Sequence, residues 1–354
     1  MRRLTILSVG YKFAPVGPDA VGGSEQVLTA IDQALVRAGH RSIVVAMEGS
    51  RTAGELIAVP GPPPSEPILE PAVVLQRQRV QEAIEHAMGQ NAIDLVHMHG
   101  LDFHEFRVPP GPPMLATLHL PPDWYPPGAF EMRRPQTWLN CVSDSEAGST
   151  RACPHLLPPI PNGVPVGRLA ATRVGQRDYA LMLARVCPEK GLHLGLQAAR
   201  AADVPLLIGG EIFPYPAHRR YFETEVAPLL DERWRYLGPL AFDRKRRLLA
   251  GARCLLIPSL VAETSSLVAM EAASCGTPVI AFRRGALPEV VEDGRTGFVV
   301  NDLDGMIDAL GRIGTIDRAL CRRVAAERFS LERMTGAYLA RYAELTGHAV
   351  TLAA

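Results

Sequence analysis

The sequence predicts an α/β protein built from two doubly wound, parallel-sheet domains of the Rossmann-like type. Its 354 residues exceed what one α/β domain of ordinary size needs. Apolar runs of strand length alternate with amphipathic helical segments in both halves of the chain, which is typical of parallel sheets covered by helices. A segment without periodicity at 161–177, containing Pro161-Asn-Gly-Val-Pro165, predicts a hinge between the halves.

The first half begins with a predicted strand at 4–9, then a loop rich in Gly and Pro. A helix at about 24–38 follows, because Val27, Ile31 and Leu35 recur at helical spacing on one face. Gly39 is a plausible helix stop. Further buried strands are predicted at 42–47, 93–97, 114–118 and 138–142. The proline-rich segments are predicted to be irregular loops: 60–71, 107–113 and 120–127.

The second half repeats the same alternation. Strands are predicted at 179–184, 205–208, 254–257, 279–282 and 297–300. Helices are predicted near 190–202, 219–231, 242–251, 265–274 and 303–312. The predicted domains are 1–165 and 166–330, with a C-terminal segment 331–354 whose helix is expected to cross back to the N-terminal domain. Because parallel sheets bind ligands at the carboxyl ends of their strands, we expect the two domains to face a ligand-binding cleft.

Composition excludes several classes of protein. Lys plus Arg equal Asp plus Glu at 37 each, so nothing favours a nucleic-acid partner. No apolar run reaches transmembrane length, and the apolar N-terminus is too short for a signal peptide, so we expect no integral membrane segment. The six Cys are scattered without a CxxC pair, which predicts reduced core thiols and a cytoplasmic location. Peripheral membrane contact and oligomeric state stay open.

Two carboxylates, Glu263 and Glu271, stand at the most informative place in the sequence. Glu263 lies in the predicted loop after strand 254–257, and Glu271 lies within the next helix. Between them, Thr264, Ser265 and Ser266 are good N-cap residues. The N–H groups and positive dipole end of such a helix suit a diphosphate. Carboxylates that reach the two ends of a diphosphate ligand outline a nucleotide-sugar site.

Arg185 and Lys190 form a second constellation, at the end of the first strand of the second half. Two cations on either side of the turn at Pro188 could clamp a diphosphate and stabilise a leaving phosphate. On spacing alone a solvated pair of surface cations is the better interpretation. The functional interpretation is preferred because the Glu263 loop belongs to the same domain.

Weaker signals lie in the first half. Gly22 and Gly23 end the first loop between strand and helix, where backbone can approach a ligand closely, although a Gly pair often only makes a turn. His119 follows the strand at 114–118 and could face the cleft, whereas a lone His is more often structural.

A metal is not predicted. The Asp302-Leu-Asp304 pattern matches the DxD of metal-dependent sugar transferases, but it opens a helix, and a helix N-cap is the better interpretation. His97, His99 and His104 lack a fourth ligand at a usual spacing.

Together these motifs resemble the retaining glycosyltransferases of the GT4-type family, which have the GT-B fold. The resemblance covers most of the chain and is most specific in the second half. There it rests on Glu263-x7-Glu271, Cys275-Gly-Thr-Pro-Val, the run from Arg283 to Gly297, and Arg185 through Lys190-Gly191. The first half matches more loosely, through Gly22-Gly23, Gly39-His40, Thr117-Leu-His119 and Asn162-Gly-Val164.

The resemblance implies a nucleotide-diphosphate sugar as donor substrate, retention at the anomeric carbon, and no metal or other cofactor. It implies that Arg185 and Lys190 bind the donor phosphates, that Glu263 contacts the sugar hydroxyls and Glu271 the ribose. Backbone N–H groups of Thr264, Ser265, Ser266 and Leu267 would hold the diphosphate. Gly22 and Gly23 would border the phosphate from the first domain, and His119 would hydrogen-bond a hydroxyl of the transferred sugar.

The chain departs from the family pattern at two positions. Members often carry Gly-Phe-Gly or Pro-Phe-Gly after the first Glu, whereas this chain has Thr264-Ser265-Ser266, which keeps the helix cap and changes the surroundings of the sugar. The family's Thr-His-His is Thr117-Leu118-His119 here, so one His is available.

The sequence thus predicts a metal-independent, retaining glycosyltransferase that favours a UDP-sugar and uses a small-molecule or glycan acceptor. Two alternatives stay open: another enzyme on this fold, such as a nucleotide-sugar epimerase or a sugar phosphorylase, and a non-catalytic nucleotide-sugar-binding protein. The loops expected to select the acceptor, 11–22, 48–72 and 99–135, follow no pattern that identifies it.

Overall fold

The computed structural model describes residues 2–62, 68–131, 133–151, 153–170 and 174–347. The chain divides into two compact units. Unit 1 comprises Met1–Asn162 together with Glu332–Ala354, and unit 2 comprises Gly163–Leu331. The boundary between the two units therefore lies after Asn162, three residues before the predicted end of the first domain at residue 165. Of the segments named in the sequence analysis, residues 1, 63–67, 132, 152, 171–173 and 348–354 lie outside the described part.

Unit 1 contains a seven-stranded parallel sheet. Its strands are β1 Thr5–Val9, β2 Arg41–Met47, β3 Glu55–Val59, β4 Leu95–Met98, β5 Met114–Thr117, β6 Thr137–Asn140 and β7 Leu156–Leu157. The strand order is β3-β2-β1-β4-β5-β6-β7. The two central strands β1 and β4 are almost wholly buried, as near-continuous apolar runs in a sheet covered on both faces should be.

Helices cover this sheet: α1 Gly23–Arg37, α2 Glu70–Gln90, α3 Asp144–Ser149 and the final helix of the chain. Val27, Ile31 and Leu35 of α1 are buried, which confirms the predicted apolar face. The final helix starts at Leu331 and ends at Leu345, and its Tyr338 and Tyr342 are completely buried within unit 1. Helix Leu331–Leu345 therefore contributes buried side chains to the first domain.

Unit 2 contains a six-stranded parallel sheet. Its strands are β8 Ala180–Leu183, β9 Leu206–Gly209, β10 Trp234–Tyr236, β11 Cys254–Ile257, β12 Val279–Phe282 and β13 Gly297–Val300. The order is β10-β9-β8-β11-β12-β13. Its helices are α4 Val166–Ala170, α5 Leu192–Ala201, α6 Pro216–Tyr221, α7 Phe242–Gly251, α8 Leu267–Cys275, α9 Leu287–Val290, α10 Leu303–Arg312 and α11 Arg318–Arg328. The final helix of the chain, Leu331–Leu345, which packs in unit 1, is α12.

The structure confirms the predicted fold class of two parallel α/β sheets and corrects several elements. The segment predicted as one helix at 219–231 is α6 followed by a π-helical turn, Phe222–Val226, and a 3₁₀ turn, Ala227–Leu229. Pro228 removes a backbone donor there, so a regular α-helix cannot continue. Strands β3, β7 and β10 and helices α2, α3, α4, α9 and α11 were not predicted from the sequence; α4 lies within the predicted hinge 161–177.

Each sheet reverses its strand order once. The chain proceeds outward from β1 to β3 in one direction and from β4 to β7 in the other, so the reversal lies between β1 and β4. In unit 2 it lies between β8 and β11. Open parallel sheets bind ligands at the carboxyl ends of the strands beside such a reversal. None of the described helices is long and apolar enough to cross a membrane.

Candidate functional site

The turn after β8 carries both predicted cations. Lys190 closes a 3₁₀ turn, and Gly191 follows with a φ of +61°, in the left-handed region that glycine adopts without strain. A Cβ at Gly191 would lie 2.1 Å from the carbonyl oxygen of Pro258, so this position also has no room for a side chain. The N–H of Leu260 donates to the Glu189 carbonyl at 2.8 Å. The turn after β8 is thus packed directly on the segment that leaves β11.

This packing brings Lys190 to Glu263. The Lys190 Nζ donates to both carboxylate oxygens of Glu263, at 2.6 Å to Oε1 and 2.8 Å to Oε2. Their side chains are 22% and 13% exposed, so the pair is accessible to a ligand while its geometry is fixed by neighbours. The ion pair joins two residues 73 positions apart, which follow β8 and β11, the two strands at which the sheet order reverses.

Glu263 is held from a second side by the loop after β12. Gly285 has a φ of +53°, and a Cβ there would lie 2.2 Å from the Glu263 carbonyl oxygen. The N–H of Ala286 donates to that same carbonyl at 2.7 Å. The glycine of the Arg283-Arg-Gly sequence is therefore needed for the backbone of the Glu263 loop to lie where it does.

The next helix begins as predicted, with a serine cap. Ser266 is the N-cap of α8, and its hydroxyl accepts from the Ala269 N–H at 3.4 Å. Thr264 is buried, and the Ser265 hydroxyl is buried without a hydrogen-bond partner among the described residues. Leu267 is the first residue of the helix. Backbone N–H groups of the first helical turn have no partner within their helix and suit an anion.

Glu271 lies inside α8, as predicted, and is buried. Its Oε1 accepts from the Nζ of Lys245 on α7 at 2.6 Å. The sequence analysis missed Lys245, because the run from Asp243 to Arg247 has the composition of a solvated helix face. Both predicted glutamates are thus each bonded to one lysine. A carboxylate so held has a defined orientation and keeps lone pairs for ligand hydroxyls.

Arg185 lies two residues beyond β8 and is partly exposed. Within the described parts of the chain its guanidinium forms no ion pair, unlike Lys190 and Lys245. Its charge reaches His218, whose pKa is lowered first by burial and then by Arg185. A cation without an acidic partner at the reversal of a sheet is suited to an anionic ligand.

The same region contains a cluster of three potential metal ligands that the sequence analysis did not identify. Ligand atoms of Cys187, Glu189 and His218 lie within 4.8 Å of one another. Sulfur, carboxylate and imidazole together form a donor set used for zinc. Burial, however, raises the pKa of the Cys187 thiol to about 11, which keeps it protonated, and the Arg185 charge beside His218 opposes a cation.

In unit 1, His119 lies two residues beyond β5 and is partly exposed. Its backbone N–H donates to the Tyr125 hydroxyl at 3.1 Å. Its Nε2 lies 3.1 Å from the Nδ1 of His99, which directly follows β4. Burial lowers the pKa of His119 to about 4, so its imidazole is neutral at physiological pH. The two histidines therefore form a hydrogen bond between neutral rings.

His97 has a separate, fully buried set of partners. The Tyr342 hydroxyl lies 2.6 Å from its Nδ1, and the Thr117 hydroxyl lies 2.8 Å from its Nε2. The Thr117 hydroxyl in turn donates to the Asn140 Oδ1 at 2.9 Å. Since the Thr117 proton is used on Asn140, His97 donates its Nε2–H to Thr117 and accepts at Nδ1 from Tyr342. This chain of hydrogen bonds ties α12 to the strands of unit 1.

The start of α1 differs from a simple anion site. Gly22 is the N-cap, but the buried Glu25 in the first turn folds back on it, so that a Cβ at Gly22 would lie 1.8 Å from Glu25 Oε2. The helix start at Gly22-Gly23 thus carries a carboxylate of its own.

At α10, Asp302 accepts from the Gly305 N–H at 2.9 Å, which confirms the predicted N-cap.

Two family models match separate parts of the chain. "Glycosyltransferase Family 4" matches residues 21–168, and "Glycosyl transferases group 1" matches residues 177–315. The chain is also similar to D-inositol 3-phosphate glycosyltransferases. That of Mycobacterium marinum is 39% identical over 197 residues, covering 50% of this chain and 41% of the relative. That of Saccharomonospora viridis is 38% identical over 133 residues, covering 36% and 31%. The chain thus spans less than half the length of the curated relatives that it matches.

Solved structures match along almost the whole chain. AviGT4, a glycosyltransferase of avilamycin A biosynthesis, has 22% identity and a TM-score of 0.72, and the match covers 98% of this chain and 99% of that one. The sucrose-phosphate synthase of Thermosynechococcus elongatus has 19% identity and a TM-score of 0.77, with 98% and 100% coverage. Anabaena HepE, solved with UDP-glucose, has 18% identity and a TM-score of 0.70, with the same coverage. With the two family models on its two sheets, this chain belongs to the GT4-type family of glycosyltransferases and has the GT-B fold.

Proposed function

We propose that this protein is a retaining glycosyltransferase. It transfers a sugar from a nucleotide-diphosphate sugar, with a UDP-sugar as the favoured donor, to a hydroxyl of a small-molecule or glycan acceptor. The observation that carries the proposal is the contact of Lys190 with Glu263 at the strand reversal of unit 2, with Arg185 two residues beyond the end of β8 and the start of α8 four residues after Glu263. Cations, N–H donors and a fixed carboxylate are the groups that a nucleotide-diphosphate sugar requires.

In the proposed reaction, the bond from the anomeric carbon to the β-phosphate oxygen breaks, and a bond from the acceptor oxygen forms on the same face of the sugar. The departing phosphate oxygen takes the proton of the acceptor hydroxyl. Negative charge therefore grows on the diphosphate, where Arg185, Lys190 and the first N–H groups of α8 stabilise it. Because the protein supplies these charges, no divalent metal is required. Because the acceptor attacks on the face from which the phosphate departs, no side-chain nucleophile is required.

The remaining contacts are assigned by the two ends of the donor. Glu263 holds hydroxyls of the transferred sugar, oriented by its two hydrogen bonds from Lys190. Glu271, oriented by Lys245, holds the ribose. His119 hydrogen-bonds a hydroxyl of the transferred sugar, and Gly22-Gly23 borders the phosphate. The first domain supplies the acceptor site.

The buried cysteines support a cytoplasmic location, because thiols of this kind are typical of reducing compartments.

Two kinds of relative support the choice of substrate class. The curated relatives are named D-inositol 3-phosphate glycosyltransferases, and Anabaena HepE was solved with UDP and with UDP-glucose.

A thermal-shift screen with UDP-, GDP-, ADP- and dTDP-sugars tests the donor class directly. We expect a UDP-sugar to raise the unfolding temperature most, with EDTA leaving both the shift and transfer to hydroxyl acceptors intact. Binding without any transfer or hydrolysis would favour a non-catalytic binding protein. An epimerised sugar or a free sugar phosphate would identify the alternative enzymes. Loss of activity in EDTA that Mn²⁺ or Mg²⁺ restores would contradict metal independence.

Arg185→Ala tests the charge on the leaving group. Loss of a preorganised charge of this kind raises the barrier by roughly 2–4 kcal/mol, so transfer should slow strongly and donor binding weaken. The fold should survive, since the guanidinium forms no ion pair with the described residues. Arg235→Ala, at an exposed position of β10, is the matched control. Kinetics of Arg185→Ala equal to those of the control would refute the assignment.

A further inference from the structure

The pair of histidines at the ends of β4 and β5 contains one residue to which the proposed function gives no role. His99 directly follows β4, at the strand reversal of unit 1, and its backbone N–H donates to the Val9 carbonyl of β1 at 2.9 Å. Its Nδ1 lies 3.1 Å from the Nε2 of His119, and the two rings are nearly parallel, with 19° between their planes. His99 is thus a rigid, buried neighbour of a partly exposed histidine.

Neither ring carries a positive charge at neutral pH. Burial lowers the pKa of His119 to about 4, and burial together with His97 and His119 lowers the pKa of His99 well below its usual value. A hydrogen bond between two neutral imidazoles requires one nitrogen to donate and the other to accept. The bond therefore fixes the tautomers of both rings together.

Surrounding groups hold His99 in place. The ring of His97 lies against it, with centroids 3.9 Å apart. Both nitrogens of His97 are used by Tyr342 and Thr117, so His97 cannot serve as a hydrogen-bond partner for His99. His99 is 2% exposed, so its ring is enclosed by these neighbours.

The other nitrogen of His99 decides which ring donates. The Nε2 of His99 is buried and has no hydrogen-bond partner among the described residues. If His119 donated to His99, this Nε2 would carry a buried N–H without an acceptor. If His99 donates from Nδ1, its Nε2 is unprotonated and carries only a lone pair. Orphaned buried N–H groups are rarer than under-satisfied acceptors, so the second arrangement is favoured. His99 then donates from Nδ1, and His119 carries its proton on Nδ1.

We propose that His99 is a positioning residue for sugar transfer, which fixes the ring plane and the Nδ1–H tautomer of His119 and thereby the way His119 meets a sugar hydroxyl. The inference rests on the proposed function, because it gives His99 a role through His119. It predicts that His99 has no effect of its own once His119 is removed.

Steady-state kinetics on a small set of variants test the dependence. His99→Phe keeps a ring but removes both nitrogens, and His99→Asn places an amide N–H near the position of Nδ1. We expect His99→Phe to lower kcat about tenfold to a hundredfold, with little change in the KM of the donor, and His99→Asn to recover most of the loss. His86→Phe, at an exposed position of α2, is the control and should leave both parameters unchanged.

A double variant gives the sharpest kinetic outcome. His99→Phe combined with His119→Ala should transfer sugar at the rate of His119→Ala alone, since the two residues act through one hydrogen bond. Multiplied losses in the double variant would overturn the inference, because they would mean that His99 acts independently of His119.

Nitrogen-15 spectra of histidine-labelled protein test the tautomer without any transfer assay. In the wild type we expect His119 to carry its proton on Nδ1, and in His99→Phe we expect its signals to move toward a mixture of tautomers. A wild-type His119 protonated on Nε2, or signals that His99→Phe does not change, would overturn the inference. Absence of donor binding and transfer in the wild type would instead refute the proposed function, and the spectra would still decide the tautomer. If His99→Phe fails to fold, the wild-type spectrum and His99→Asn decide.

Discussion

At the scale of single residues, the two glutamates of unit 2 differ in their partners and their burial. Glu263 is in a loop and 13% exposed, and its carboxylate accepts two hydrogen bonds from Lys190. Glu271 is inside α8, 4% exposed, and bonded to Lys245. The more exposed carboxylate lies beside the cations proposed for the diphosphate, and the less exposed one lies on a helix beyond its first turn. This difference is consistent with hexose at Glu263 and ribose at Glu271.

Calorimetry on Glu263→Ala and Glu271→Ala separates these two ends of the donor. Removing a carboxylate from buried ligand hydroxyls loses about 1–3 kcal/mol. Glu271→Ala should therefore weaken the free nucleoside diphosphate as much as the full nucleotide-sugar. Glu263→Ala should leave affinity for the nucleoside diphosphate nearly intact and depress transfer.

Each substitution also leaves a lysine without its carboxylate, so a second pair of variants is needed. Lys190→Met and Lys245→Met remove the cations and report how much of each effect belongs to the ion pair. If Glu263→Ala abolished binding of the bare nucleotide while Glu271→Ala did not, the proposed orientation of the donor would be reversed.

Residue types and spacing were sufficient to predict that Lys190 follows β8, that Glu263 lies in the loop after β11 and that a serine caps α8, because each place is a strand end or a helix start. The same information could not show their partners. Lys245 pairs with Glu271 across 26 positions, and His99 pairs with His119 across 20. Both pairs depend on which elements become neighbours in space, which the strand order decides.

At the scale of elements, the segments that were missed have weak patterns. Helix α2 is rich in Gln, Glu and Arg, and only Gln76, Val80, Ile84 and Ala87 are buried on it. A single narrow stripe of this kind gives little helical periodicity, although it suffices to cover one sheet face. Strand β3 lies at the edge of its sheet, and four of its five residues are partly or fully exposed, so it lacks the continuous apolar run of the central strands.

The loop after β12 gives a prediction about two glycines with similar backbone conformations. Gly285 and Gly294 have φ values of +53° and +72°, so alanine at either position costs roughly 1–2 kcal/mol from backbone strain. At Gly294 a Cβ would meet no atom within 4 Å, whereas at Gly285 it would lie 2.2 Å from the Glu263 carbonyl oxygen. Gly285→Ala should therefore displace the Glu263 loop.

We expect Gly285→Ala to lower the unfolding midpoint in urea more than Gly294→Ala does. It should also reduce affinity for the nucleotide-sugar, which Gly294→Ala should leave at the wild-type value. Urea unfolding and donor calorimetry on both variants provide the measurement. Equal effects of the two substitutions would show that glycine is needed at position 285 only to avoid backbone strain, and not to leave room for the Glu263 loop.

At the scale of the whole molecule, each unit has its own buried core and its own strand reversal, and the chain returns to unit 1 through α12. The two units differ in the burial of their histidines. Unit 1 contains His97, His99 and His119, whose pKa values burial lowers strongly. In unit 2, His193 and His218 are partly exposed and their pKa values are lowered less far. The two units should therefore respond differently to acid.

The sign of that response follows from proton binding. A histidine with a folded pKa near 4 and an unfolded pKa of 6.5 binds more protons when unfolded, so its contribution to stability is full above pH 6.5 and is lost as the pH falls toward 4. For His119 this linkage amounts to a loss of about 2 kcal/mol between pH 7.5 and pH 5.0. His97 and His99 act in the same direction.

Pulsed hydrogen exchange in a urea series at pH 7.5 and at pH 5.0, resolved by peptide, measures each unit separately. Between the two pH values, peptides from β4 and β5 of unit 1 should lose more of their unfolding free energy than peptides from β11 and β12 of unit 2. His119→Asn, which removes one titrating ring, should reduce the difference by about the share of that histidine. Equal losses in the two units, or a difference that His119→Asn leaves unchanged, would show that the buried histidines of unit 1 do not control its stability in acid.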